Sequence, residues 1–123
     1  SIEPKPAGPK APRAHGVGRR KSSVARVWVR RGSGKIRVNG IEHTNYFDTE
    51  LSAQTAAKPF QVCPLGANYD VQVTVAGGGK EAQADAVMLG IARAFVDIDE
   101  GLKSVLRKHG LLTVDARRKE RKK

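Results

Sequence analysis

The chain has 123 residues and a net charge of +11, a length that suits one compact domain and is too short for two. Its single cysteine, Cys63, excludes an internal disulfide and a cysteine-rich metal site and reads as a reduced, small core residue. No apolar run approaches the roughly 20 residues that a membrane span requires, and no signal-peptide core is present. The charge is unevenly placed: residues 1–31 carry nine Lys/Arg against one acid, residues 32–99 five against eight, and residues 100–123 nine against three. A mildly acidic middle between two basic ends suits a domain that folds by itself and grips a polyanion with its extremities. Nucleic acid is favoured over a membrane surface, because the basic tail lacks the apolar stripe of an interfacial helix.

In chain order, residues 1–14 hold four of the six prolines and almost nothing apolar, the composition of an extended arm. The expected division is a flexible arm over 1–15, a domain over 16–116 and a basic tail over 117–123. The segment Gly16 to Ser23 sets Arg19, Arg20 and Lys21 beside Ser22 and Ser23. Its glycines would let the backbone approach a phosphate chain, and its cations and hydroxyls would donate to the oxygens. It is expected to be flexible until RNA is bound. The first ordered strand is then predicted over Ser23–Arg30, with Ala25, Val27 and Val29 facing a core and Arg26, Trp28 and Arg30 opposite. Arg31 to Lys35 reads as a turn, and Ile36–Val38 as the returning strand of a β-hairpin that ends at Asn39-Gly40. Its outer face gathers Arg26, Arg30, Lys35 and Arg37 around Trp28 with no acid between them. That pattern favours an RNA-facing surface over a merely solvated one; the competing reading is that a loop or tail packs over Trp28.

Further along, Tyr46 and Phe47 anchor a short helical turn, Ser52 to Lys58 reads as a helix ended by Pro59, and 66–68 as a loop. Tyr69 to Ala76 alternates as a strand, closed by Gly77-Gly78-Gly79. Lys80 then opens a helix over about 81–96. The glycines and Lys80 lack the spacing of a nucleotide-binding loop, and an RNA phosphate fits a helix N-terminus better than free nucleotide. Ala84, Val87, Met88, Ile91, Ala94 or Phe95, and Ile98 form a buried stripe. Beside it runs a small-residue row, Ala82, Ala86, Gly90 and Ala94, suited to close helix-on-sheet packing. A second helix is expected over Glu100–His109 with Gly110 as its cap, then a strand over Leu111–Val114 and the basic tail. His15, His43 and His109 are scattered without metal-ligand spacing. Asp97, Asp99 and Glu100 sit where acids cap a following helix. No catalytic group, cofactor, metal or small-molecule substrate is expected.

Four motifs together resemble bacterial-type ribosomal protein nine of the small subunit: Gly18 to Val27, Gly34 to Gly40, Gly77-Gly78-Gly79 with Gln83-Ala84 and Gly90 to Ala94, and Leu112 to Lys123. The resemblance covers residues 16–123 in order. It implies an α+β fold, a two-layer α/β sandwich with a four-stranded mixed sheet, helices on one face and a left-handed β-α-β crossover. It also implies a place in the head of the small subunit, on the 3′ domain of its ribosomal RNA beside other head proteins. The RNA-binding set would be Arg19, Arg20, Lys21, Ser22, Arg26, Trp28, Arg30, Lys35, Arg37, Lys80 and Arg93, with Arg117, Arg118, Lys119, Arg121, Lys122 and Lys123 in the tail. Two departures stand out. Ala82 occupies a position where the family usually has Gly, and the family continues past Glu-Arg-Lys-Lys with a basic tail toward the peptidyl-tRNA site, whereas this sequence stops at Lys123. A tRNA contact would therefore need residues beyond it. The expected location is the ribosome of a bacterial cytoplasm or an organelle matrix, the alternative function being a free RNA- or DNA-binding regulator.

Overall fold

The computed structural model describes residues 14–63 and 68–112. The proline-rich arm up to Arg13, most of the 66–68 loop, Thr113-Val114 and the basic tail lie outside the described residues. The strands are β1 (Ala14–Arg20), β2 (Ser23–Arg31), β3 (Ile36–Val38), β4 (Ile41–Glu42) and β5 (Tyr69–Ala76). The helices are α1 (His43–Tyr46), α2 (Glu50–Ala56), α3 (Lys58–Val62), α4 (Lys80–Ile98) and α5 (Leu102–Lys108). Among the described residues the strands form one mixed sheet in the order β1-β2-β5-β3-β4. The α+β class is as expected; the described sheet has five strands rather than four, because β1 and the two-residue β4 join it while Leu111 and Leu112 do not.

The largest correction is at the start. Gly16 to Arg20 is not a flexible approach to the first strand but part of a strand itself, paired antiparallel with β2 from Ala14↔Val29 to Arg20↔Ser23. Its alternation is easy to overlook because the inward positions are Ala14, Gly16 and Gly18, all buried, which supply almost no apolar signal. The small side is what α4 requires. A Cβ on Gly16 would fall on the Gly90 carbonyl oxygen and within 2.6 Å of the Ala94 nitrogen, and one on Gly18 would fall on the Ala86 carbonyl. A Cβ on Gly90 would in turn meet a Val27 methyl at 2.7 Å. The row Ala86, Gly90, Ala94 thus meets the glycines of β1 backbone to backbone, the close packing its spacing predicts.

The hairpin assignment also changes. β2 and β3 are not neighbours, since β5 lies between them, antiparallel to β2 and parallel to β3. An alternating pattern reveals faces but not partners, so two strands joined by a short link read as a hairpin. The tight turn is at Asn39-Gly40, which connects β3 to β4 with both residues at positive φ, 52° and 82°, the geometry that matches strand twist in a two-residue hairpin. Asn39 does more than turn the chain. Its Nδ2 donates to the Val75 carbonyl at 3.1 Å and its Oδ1 accepts from the Val75 N–H at 3.0 Å, so a side chain extends the β3–β5 ladder by one rung.

α4 covers the inner face, chiefly over β1 and then β2. Val27, Val29, Val38, Val71, Val73, Val87, Ile91 and Phe95 form the centre of the core. From the expected stripe, Ala84, Val87, Ile91, Ala94 and Phe95 are buried, whereas Met88 and Ile98 are only half-buried. Polar groups on α4 clasp the outer edge of β1: Asp85 pairs with Arg20 at 3.4 Å, Arg93 donates to the Val17 carbonyl at 2.9 Å, and Asp97 accepts from the His15 N–H at 3.4 Å. Their spacing of eight and four residues puts them on one face, where they occupy an edge that could otherwise pair with another chain.

The expected helix around 52–58 is α2, and Pro59, instead of only ending it, stands at the start of α3, where its missing N–H costs nothing. Thr49 caps α2 by accepting from the Ser52 N–H at 3.1 Å. Asp99 accepts from the Gly101 N–H at 2.9 Å, at the junction where acids were expected to cap. At the end of α5, Gly110 adopts φ 74° and donates to the Arg107 carbonyl, while Leu111 donates to that of Leu106. This pair of bonds closes the helix. Leu111 and Leu112 are therefore in a turn and not in a strand, with Leu111 buried in the core. Cys63 is buried there as well; burial, aided by the charge of Asp99, pushes its thiol up from the usual value.

Candidate nucleic-acid interface

With the inner face closed by α4, the other face of the sheet is open among the described residues. Side chains alternate along each strand, so β1 presents His15, Val17 and Arg19, β2 presents Val24, Arg26, Trp28 and Arg30, β5 presents Asp70, Gln72 and Thr74, and β3 presents Arg37. The register aligns them in rows. Arg37, Gln72, Trp28 and His15 stand abreast across four strands, with Thr74, Arg26 and Val17 in the next row and Arg30 opposite Asp70 on the other side. Trp28 is half-buried at the centre, its ring 5.2 Å from that of His15 and tilted by 50°. Arg30, Lys35, Arg37, Asp70 and Gln72 line a shallow depression of about 360 Å³.

Asp70 is an acid among these cations, which the sequence pattern does not show because it arrives from a strand distant in the chain. Its Oδ1 accepts from the N–H groups of Ser33, Lys35 and Gly34 at 2.9, 3.0 and 3.1 Å. Partial burial alone would raise this carboxyl, but those three bonds and the charge of Lys35 outweigh it and hold it below the usual carboxylate value. The carboxylate is thus committed to the loop that carries Lys35. Its charge offsets part of the local positive field without closing the face.

The residues singled out in the sequence divide into groups. Arg19, Arg26, Arg30, Lys35 and Arg37 share the open face with Trp28. Lys21 and Ser22 form the exposed β1–β2 turn, with Lys21 at φ 57°. Three others point elsewhere and have protein partners. Arg20 lies on the helix side of β1, paired with Asp85, and Arg93 reaches the edge of β1. Lys80 donates to the Tyr46 carbonyl at 3.1 Å, sits 4.5 Å from the centre of that ring, and approaches Asp48 at 3.7 Å. These contacts belong to a polar cluster that ties α1 to the glycine turn: the Tyr46 hydroxyl donates to Gln83 at 2.6 Å, and Gln83 and Ser23 both donate to the Gly77 carbonyl. Arg117, Arg118, Lys119, Arg121, Lys122 and Lys123 lie outside the described residues.

His15 is the member of this face that sequence reasoning missed. Its signal is parity: once Ala14–Arg20 is seen as a strand, His15 and Trp28 fall on the same side. Among the described residues, no cluster of His, Cys, Asp or Glu could hold a metal ion, and no helix is long and apolar enough to cross a membrane. A sheet with one sealed face and one cationic face carries a field that attracts polyanions. Residues 18–123 match the model of the family described as ribosomal protein S9/S16, and the chain belongs to that family of structural, non-enzymatic ribosome components, which bind ribosomal RNA beside other ribosomal proteins.

Proposed function

We propose that the protein is a constituent of the head of the small ribosomal subunit, bound to the 3′ domain of its RNA through the open sheet face and the Lys21–Ser22 turn. The observation that carries this reading is the division of the sheet. One face is sealed by α4, whereas the other sets Arg19, Arg26, Arg30, Lys35 and Arg37 around a half-exposed Trp28. In this reading the domain begins with β1, and the Arg117–Lys123 tail adds phosphate contacts to those of the face. Neighbouring head proteins complete its surroundings. A basic continuation past Lys123, of the kind the family carries, would bring it to the peptidyl-tRNA site.

Phosphate contacts dominate such binding and release counterions. With about six to ten phosphates neutralised, affinity for a transcribed 3′-domain RNA should fall by about 10³–10⁵ between roughly 50 and 200 mM salt. The protein should co-sediment with small subunits at moderate salt. A nearly salt-independent affinity, or a protein confined to the light fractions, would reject the proposal and favour a free regulator.

A further inference from the structure

Building on that RNA-facing assignment, we infer that Trp28 is a stacking platform for an unpaired RNA base, with the surrounding cations holding the phosphates on either side. Trp28 occupies the centre of the open face and retains part of its surface exposed. Arg26 and Arg30 lie two residues before and after it, about 7 Å along the strand in each direction. Gln72 and His15 flank it on the adjoining strands. The indole is therefore bracketed by charge along one axis and by a hydrogen-bonding amide and a second ring along the other.

A duplex offers this ring no base face along its length, since its bases are stacked on each other, its deep, narrow major groove admits no side chains, and its shallow minor groove shows only base edges and 2′-hydroxyls. Phosphates alone would be served by the arginines, and a wholly polar face would do that as well. A large flat ring left half-open amid arginines gains most from the π-face of a base, an interaction that tolerates any base identity. Two acids border this face among the described residues: Asp70, whose carboxylate is bonded to the 33–35 amides, and Glu42, in register with Arg37 at the sheet edge; the cations of the face outnumber them.

Trp28 is the single tryptophan of the chain, so its emission reports directly on the site. Three RNA probes of equal length separate the possibilities: a mixed-sequence single strand, the same strand annealed to its complement, and an abasic ribose-phosphate strand. All three should bind at low salt, but only the base-bearing single strand should quench Trp28. Trp28→Ala should weaken that strand by about 5- to 150-fold while leaving the abasic strand unchanged, and Trp28→Phe, which keeps a flat ring, should retain most of the affinity. If the abasic strand or the duplex quenches equally, or if Trp28→Ala loses nothing specific to bases, stacking is overturned while the RNA face survives. If none of the three binds, the RNA-facing assignment falls with it.

Discussion

Val27 and Trp28 are adjacent in the chain and opposite in role, because neighbours along a strand point to opposite faces. Val27 is fully buried against α4, so Val27→Ala should destabilise the fold by about 1–3 kcal/mol through lost burial and a residual cavity, as read by urea unfolding. Its affinity for RNA, corrected for the folded fraction, should not change. Asp70 offers a test of a different kind. Its carboxyl is held below the ordinary value near 3.8, so the folded state favours the ionised form. The stabilisation it brings is fully present above that ordinary value and is lost as pH falls through the lower native one. Asp70→Ala should cost about 1 kcal/mol at neutral pH, the scale of hydrogen bonds to a charged acceptor reduced by solvent screening at a partly exposed site. The gap between the two proteins should narrow below about pH 4. A gap that stays constant to pH 2 would show that the 33–35 loop does not depend on the charge.

The element that organises the fold is the β1–α4 contact, and glycine makes it possible. Gly18→Ala would drive a methyl group onto the Ala86 carbonyl, forcing the helix away from the strand. Overpacking of this kind costs about 1–3 kcal/mol and sometimes more, and here the opposing atoms are backbone and cannot rotate aside. A thermal melt of Gly18→Ala should therefore shift down by several degrees, about 4–8 °C per kcal/mol for a domain of this size. An unchanged melt would mean that α4 does not ride on β1 as closely as described. The same contact assigns Gly16 and Gly18 a structural use: they admit a helix, not a phosphate chain.

For the molecule as a whole, the cationic face is assembled from strands that are far apart in the chain, and it exists only when the sheet is complete. Hydrogen exchange on the free protein should therefore protect alternate amides of Gly16–Arg20 through their pairing with β2, and the amides of Val71–Val75 through theirs with β2 and β3. Exchange of the 16–20 amides at coil rates without RNA would show instead that this segment orders only on binding. Because β1 is an edge strand, its protection should be lower than that of central β5, flanked by β2 and β3.

What the sequence by itself determined were properties local to one segment. The faces of β2 and β5 are legible because valines alternate with polar residues, and α4 because its apolar positions recur with helical period. The cap at Gly110 follows from the conformation that a helix end demands. The polyanion-binding character lies in the charge distribution, and four motifs in order point to the family. Only the tertiary structure decided the rest, since it depends on which segments meet. β1 has an inward side of Ala and Gly, so its strand character is stabilised by pairing and by the approach of α4 rather than by any apolar pattern of its own. The neighbours of β2 and β3 were hidden because alternation encodes a face and says nothing of a partner, which let β5 enter between them. For the same reason Asp70 and His15 join the cationic face unannounced, and Arg20, Lys80 and Arg93 leave it for protein partners. Charge can be counted along a chain, but whether a cation faces a ligand or a neighbouring carboxylate is settled by packing.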